Sequence, residues 1–254
     1  MPLYTTLHLH NVTAGGEADY ARWFDGPHRE AIASLPGYIS AERYEVTPEQ
    51  VMQDIPQPWR FASIYDLDLG DDTAPLLALG DKIGEARTAG LIADDDTERL
   101  YSYELYSDWV GSPNWRREDP LSGLSFILGN YTPGRWDEYT RWYDEVHGPE
   151  VSNVPGHVAM RRGILSDIQL EPRRHCLGEV LVMTAQQTDD LTFTIGDFIA
   201  RAIGNSPSGI AMEPRSTAGS LARTVHYFRK ISGSRFWPGG VAYAGDLSVY
   251  PGKG

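Results

Sequence analysis

The sequence predicts an α+β fold made of two copies of a β-α-β-β-α-β unit in one chain, and three observations predict it. The chain resembles itself at an offset of 119 residues: Tyr20, Arg22, Trp23, Asp25, His28, Pro36, Gly37 and Arg43 fall on Tyr139, Arg141, Trp142, Asp144, His147, Pro155, Gly156 and Arg162, eight identities in 24 positions. Each copy runs through the same succession of hydrophobic periods, alternating for strands and near 3.6 for helices. The length of 254 residues, with 41% hydrophobic content, suits two domains of ordinary size that build cores without staples.

The elements follow in order. "TTLHLHN" and "LSFILGN" alternate and carry β-branched or aromatic residues, so both read as first strands. A helix follows in each copy. In the second, Tyr139, Trp142, Tyr143 and Val146 recur at i, i+3, i+4 and i+7, a stripe that packs on the sheet. A Pro-Gly turn ends each helix and leads into "YISAERYEV" and "HVAMRRGIL", then a polar loop, then "RFASIYDLDL" and "EVLVMTAQQ". Second helices hold "LGDKIGEA" and "IGDFIARA", which match at an offset of 116, and last strands hold "LYSYELY" and "TVHYFRKI". This order is that of the ferredoxin-like split βαβ unit, an antiparallel sheet with two helices on one face. The other face of such a sheet is apolar and needs cover, so the two sheets are expected to pack face to face as an intrachain pseudo-dimer. The expected divisions are 1–107, a linker at 108–121 rich in Trp, Pro and Arg, and 122–254 with an aromatic C-terminal tail.

Composition excludes several classes. A formal charge of −13 opposes binding to a phosphate backbone, so nucleic acid is not an expected partner. The start shows no secretory pattern and no window approaches a membrane span, so a soluble, cytoplasmic protein without a membrane partner is expected. The lone Cys176 cannot form an intrachain disulfide and reads as a packed residue.

The candidate chemistry centres on His28 and His147. In a regular helix His147 lies about 90° from the centre of the packed stripe and Asp144 about 150°. The histidine therefore borders the buried face, one turn after a carboxylate that could orient it and raise its pKa. Asp25 stands in the same relation to His28. A half-buried histidine with an acidic partner suits general acid–base chemistry, and the same pair also suits pinning the helix to a loop. The copies differ here: "HGPE" puts a stop and restart after His147, whereas "DGPHRE" breaks the helix before His28.

Other residues carry two readings each. His8 and His10 share one strand face, opposite in character to Ile127 and Gly129, and either line a cavity, supply a metal pair, or form a polar strand face. Arg43 and Arg162 either bind a substrate carboxylate or phenolate, or pair with Asp25 and Asp144. The loop "IGNSPSGIAMEPRSTAGS" reads as a solvated loop or a lid. His157, His175 and His226 have no counterpart histidines and are assigned no role.

The run "RWYDEVHGPEVSNVPGHVAMRR", with its Trp, aromatic, Asp, His, Pro-Gly and Arg, resembles the first helix and second strand of EthD-like dimeric α+β barrel proteins. The likeness covers residues 3–106 and 122–232, and appears twice in register, as two copies fused in one chain. It implies a dimeric α+β barrel formed within the chain and a pocket between helices and sheet. Tyr20, Trp23, Tyr139, Trp142, Tyr143, Arg43, Arg162, His8 and His10 are the residues expected to hold a small-molecule substrate, with His28 or His147 moving a proton. The expected function is a cofactor-independent acid–base enzyme, a lyase or dehydratase, isomerase or cyclase, acting on a hydrophobic, aromatic or polyketide-like molecule. The alternatives are a cofactor-free monooxygenase on a phenol, a haem protein with a histidine axial ligand, a metal site at His8 and His10, and a non-catalytic binding or stress protein. Further homo-oligomerisation is left open.

Overall fold

The computed structural model describes residues 3–113, 115–116, 119–172 and 178–232. Cys176, His175 and the aromatic tail from residue 233 onward lie outside the described residues. The first half runs β1 (Leu3–His10), α1 (Glu17–Trp23), a π-helical turn (Phe24–His28), α2 (Arg29–Ala33), β2 (Tyr38–Val46), β3 (Phe61–Asp68), α3 (Ala74–Thr88) and β4 (Arg99–Leu105). A two-residue strand, β5 (Val110–Gly111), sits in the connecting segment. The second half repeats the order with β6 (Gly123–Tyr131), α4 (Trp136–Trp142), a π-helical turn (Tyr143–His147), α5 (Gly148–Ser152), β7 (His157–Leu165), β8 (Val180–Gln186), α6 (Leu191–Ala202) and β9 (Gly219–Lys230).

Among the described residues the nine strands form one antiparallel sheet in the order β4-β1-β3-β2-β9-β6-β8-β7-β5, and β4 also pairs with β7. That last pairing closes eight strands into a barrel, which removes every open edge but the short β5. The order 4-1-3-2 of the first half recurs as 9-6-8-7 in the second.

Strand alternation divides the residues between two cores. Leu7, Leu9, Ala62, Ile64, Leu124, Phe126, Leu128, Met183 and Phe228 point into the barrel. Their strand neighbours point out, under the helices. In the first half this outer core is one cluster built on Tyr20, Phe24, Tyr65, Leu76, Leu79 and Ile83. In the second half it is split, with Tyr139, Tyr143 and Val151 in one cluster and Ile195, Val225 and Tyr227 in another.

The barrel interior is not wholly apolar. Arg161 of β7 reaches Asp66 of β3 with Nη2 at 2.7 and 2.9 Å from its two carboxylate oxygens. Thr5 and Ser40 donate to the same carboxylate at 2.7 and 3.2 Å. Trp109, from the connecting segment, is fully buried and lies under the Arg161 guanidinium at 4.6 Å. The connection is thereby tied to the barrel and to an ion pair that joins the halves.

The Pro-Gly turns do what their sequence requires. Gly37 and Gly156 have φ of +73° and +92°. A Cβ at Gly37 would lie 1.9 Å from the Asp68 carbonyl oxygen, so only glycine brings the chain from helix to strand that closely.

The first helix departs from the regular 100° geometry in both halves. Each has a π turn ending at the histidine. In the first, Gly26 takes non-helical angles (φ −108°, ψ −107°) just before Pro27, the expected break. In the second, the helix runs through His147 and Gly148 in αR geometry into α5, so Gly148 and Pro149 do not interrupt it.

Candidate functional site

In an α-helix, residues five apart lie about 140° apart around the axis. The π turn cancels that offset. Trp23 and His28 stack with ring centroids 4.0 Å apart, and Trp142 and His147 do so at 4.4 Å with planes 8° apart. The same device therefore holds both histidines against the sheet. Their surroundings then diverge.

His28 is sealed. It is 1% exposed, and its Nε2 lies 3.1 Å from the Tyr65 hydroxyl. Phe24 packs on it at 5.2 Å, and burial pushes its pKa down to about 3. His10 and His8, stacked at 4.3 Å, fill the neighbouring strand face. His10 packs on Tyr20 at 5.0 Å and His8 Nε2 contacts Glu98 at 2.6 Å. Tyr20 meets Ser63 at 3.1 Å. His8, His10, Tyr20, Trp23 and His28 thus come together as a packed aromatic cluster. Among the described residues no group of three or more His, Cys, Asp or Glu side chains is arranged to hold a metal ion.

His147 borders open space. Its side chain is 21% exposed and lines a cavity of about 320 Å³ between the second-half helices and sheet. Trp142 and Tyr143 line the same cavity, together with Thr184, His157 and Phe198. Strand register explains the difference. Thr6 pairs with Tyr65 in the first half, and Ser125 pairs with Thr184 in the second, so Thr184 holds the place of Tyr65. A hydroxyethyl side chain where the other half has a phenol ring leaves the room. The one large replacement, Tyr227 of β9, places its hydroxyl 3.3 Å from His157 Nε2. His157 donates from Nδ1 to the Val151 carbonyl at 3.0 Å, and burial lowers its pKa to about 4.

Burial also lowers the pKa of His147, against the pull of Glu150, whose Oε2 lies 3.8 Å from Nδ1. The histidine is a neutral base at pH 7, and the buried Glu150 carboxylate is placed to favour its protonated form. The carboxylate beside the histidine is Glu150, not Asp144. Asp144 pairs with Arg162, and Asp25 pairs with Arg43 at 2.5 Å, so neither aspartate touches a histidine. The two arginines also stack, Arg43 over Phe24 at 5.4 Å and Arg162 over Tyr143 at 5.4 Å, behind the site and not in it. Tyr139 packs on Tyr143 at 5.1 Å as support.

Several cavity residues lie outside the sequence expectations. Met212 and Arg215 come from the long loop before β9, which covers the cavity as a wall, and Arg223 comes from β9 itself. Val51 and Met52 come from the β2–β3 loop of the first half, which crosses to the second. That loop is clamped by Gln50, which donates to the Tyr227 carbonyl at 2.9 Å and accepts from the Tyr227 N–H at 2.9 Å.

This architecture has known counterparts. No family model matches the sequence, and no curated protein matches it. Among solved structures, an anthrone oxidase-like protein superposes with a TM-score of 0.57 at 9% identity, over 92% of this chain and 95% of that one. A candidate monooxygenase from Fusobacterium nucleatum matches with a TM-score of 0.52 at 9% identity, over 91% and 93%. Another from Lactobacillus acidophilus gives 0.52 at 10%, over 91% and 94%. The chain shares the fold of these structures over more than nine tenths of its length. At such identities the likeness is one of fold.

Proposed function

We propose that the second-half cavity is the working site of a cofactor-independent enzyme, and that His147 takes and returns a proton on a hydrophobic, aromatic or polyketide-like small molecule. The observation that carries this reading is the asymmetry of two otherwise matched histidines: His28 is capped by Tyr65, whereas His147 faces a cavity. The volume sits at the small end of the range for ligand sites, about 300–1,000 Å³. Trp142, Phe198 and Met52 supply apolar walls, and elimination, isomerisation or cyclisation at an activated carbon needs only a base and a place for developing negative charge. We read the chain as two ferredoxin-like modules, 1–107 and 122–254, acting as one pseudo-dimer, with the EthD-like pattern marking the helix that carries the base.

A cofactor-free monooxygenase on a phenolic substrate is the second reading. It uses the same base to make a phenolate, which Arg215 and Arg223 on the cavity wall would stabilise. Two of the similar structures are candidate monooxygenases. Oxygen consumption separates the two readings.

The test is turnover of a panel of phenols and aromatic or polyketide-like ketones by His147→Ala and His28→Ala proteins. His147→Ala should lower kcat by about 10²–10⁴-fold with little change in Tm. His28→Ala should lower Tm and leave kcat near the parent value. Turnover that survives His147→Ala removes His147 as the base, and a parent protein that binds but turns over no member of the panel removes the reading in favour of a non-catalytic binding protein.

A further inference from the structure

The two halves reverse charge at one matched position. The pairing that sets Leu9 opposite Arg99 puts Glu98 opposite His10, and the matching pairing sets Arg223 opposite Gly129. In the first half Glu98 accepts from Arg87 at 2.8 Å and contacts His8 at 2.6 Å, so the packed cluster carries its own carboxylate. In the second half an arginine stands in place of Glu98, a bare glycine in place of His10 and Ile127 in place of His8. Arg223 is half-buried and lines the cavity beside Arg215, whose guanidinium lies 6.0 Å from the Trp142 ring centroid.

We propose that the cavity selects a compact aromatic molecule bearing a carboxylate, with the ring on the apolar wall near Trp142 and the anion held by Arg223 and Arg215. This rests on the reading of the cavity as the working site. A protein of net charge −13 that places two arginines on one small cavity wall draws anions to a spot its surface otherwise repels. Within the cavity, burial and the neighbouring Arg215 pull the pKa of Arg223 down, and both arginines work against protonation of His147. A bound carboxylate relieves both effects: it neutralises the crowded cations and makes His147 a stronger base while substrate is present. The exposed Glu213 and the buried Glu150 are the acidic groups facing this wall, and Glu150 is engaged by the Glu213 N–H at 2.8 Å.

The experiment compares naphthalene-2-carboxylate with naphthalene-2-carboxamide by calorimetry at pH 7.5, on the full chain. The parent protein should prefer the carboxylate by about tenfold or more, and added salt should shrink the preference. Arg223→Gln should remove the preference while the carboxamide binds as before, and Arg223→Lys should restore part of it. Equal binding of the two probes to the parent protein, binding of neither, or a preference that persists in Arg223→Gln overturns the proposal. If Arg223→Gln does not fold, the parent ratio and its salt dependence decide. His147→Ala keeps the two claims apart: a retained carboxylate preference with lost turnover supports both, and a retained preference with retained turnover leaves the anion site standing and removes the catalytic role of His147.

Discussion

Thr184 and Tyr65 occupy one place in their two halves, and their difference in size decides which histidine meets open space. The consequence is testable in both directions. Thr184→Tyr should fill the cavity and abolish binding of aromatic ligands, with Tm changed by only a few degrees because the added ring enters existing space instead of a packed core. Retained ligand binding in that protein would place the ligand elsewhere. The pH profile of turnover follows from His147: its lowered pKa leaves the base neutral below the usual histidine range, so kcat/KM should hold from pH 8 down past about 6.5 and fall only in more acid solution. The two histidines were legible because they align at a fixed offset. The carboxylate that serves His147 was not, since Glu150 follows it by three residues while Asp144 precedes it by three, and periodicity alone does not choose between them. Thr184, Arg223 and Tyr227 were hidden for another reason: they matter as departures from their counterparts, and attention to identities passes over departures.

At the scale of elements, strand alternation located eight long strands, while the two-residue β5 is too short to leave a period. The π turns were the main miss. A spacing of five between Trp and His puts them on different faces of a regular helix, and only the wider turn stacks them. The β2–β3 loop shows how an element of one half completes the site of the other. Gln50 bonds both backbone groups of Tyr227 as a strand residue would, and Val51 and Met52 follow it onto the cavity wall. Gln50→Ala should cost about 1–3 kcal/mol of stability by leaving the buried Tyr227 N–H without a partner, and should weaken ligand binding more than tenfold by freeing the wall. Chemical denaturation and calorimetry on the same sample check both effects, and unchanged affinity would mean that the loop is not part of the site.

At the scale of the molecule, the halves are joined inside the barrel by Arg161 and Asp66. Asp66→Ala leaves a buried guanidinium without its carboxylate and should cost about 3–5 kcal/mol, read as a lower denaturation midpoint with loss of both halves together. Acid should act on the whole fold through its buried neutral histidines. The pKa of His28 is lowered to about 3, and those of His157 and His226 to about 4, chiefly by burial. Unfolded histidine binds its proton near pH 6.5, so between that pH and about 4 the unfolded chain holds more protons than the folded one. Stability is therefore full above pH 6.5 and should be lost steadily below it, with several protons taken up on unfolding. A denaturation midpoint that stays level from pH 7 to 5 would contradict this. The plug of Tyr65 over His28 has a last implication, for stoichiometry. In a homodimer of identical subunits every substitution is made twice, and a change that closes one site closes both. In a single chain with two matched halves that constraint is absent: Tyr65 closes the first half over His28 while Thr184 leaves the second open, and a saturating ligand should fill one site per chain.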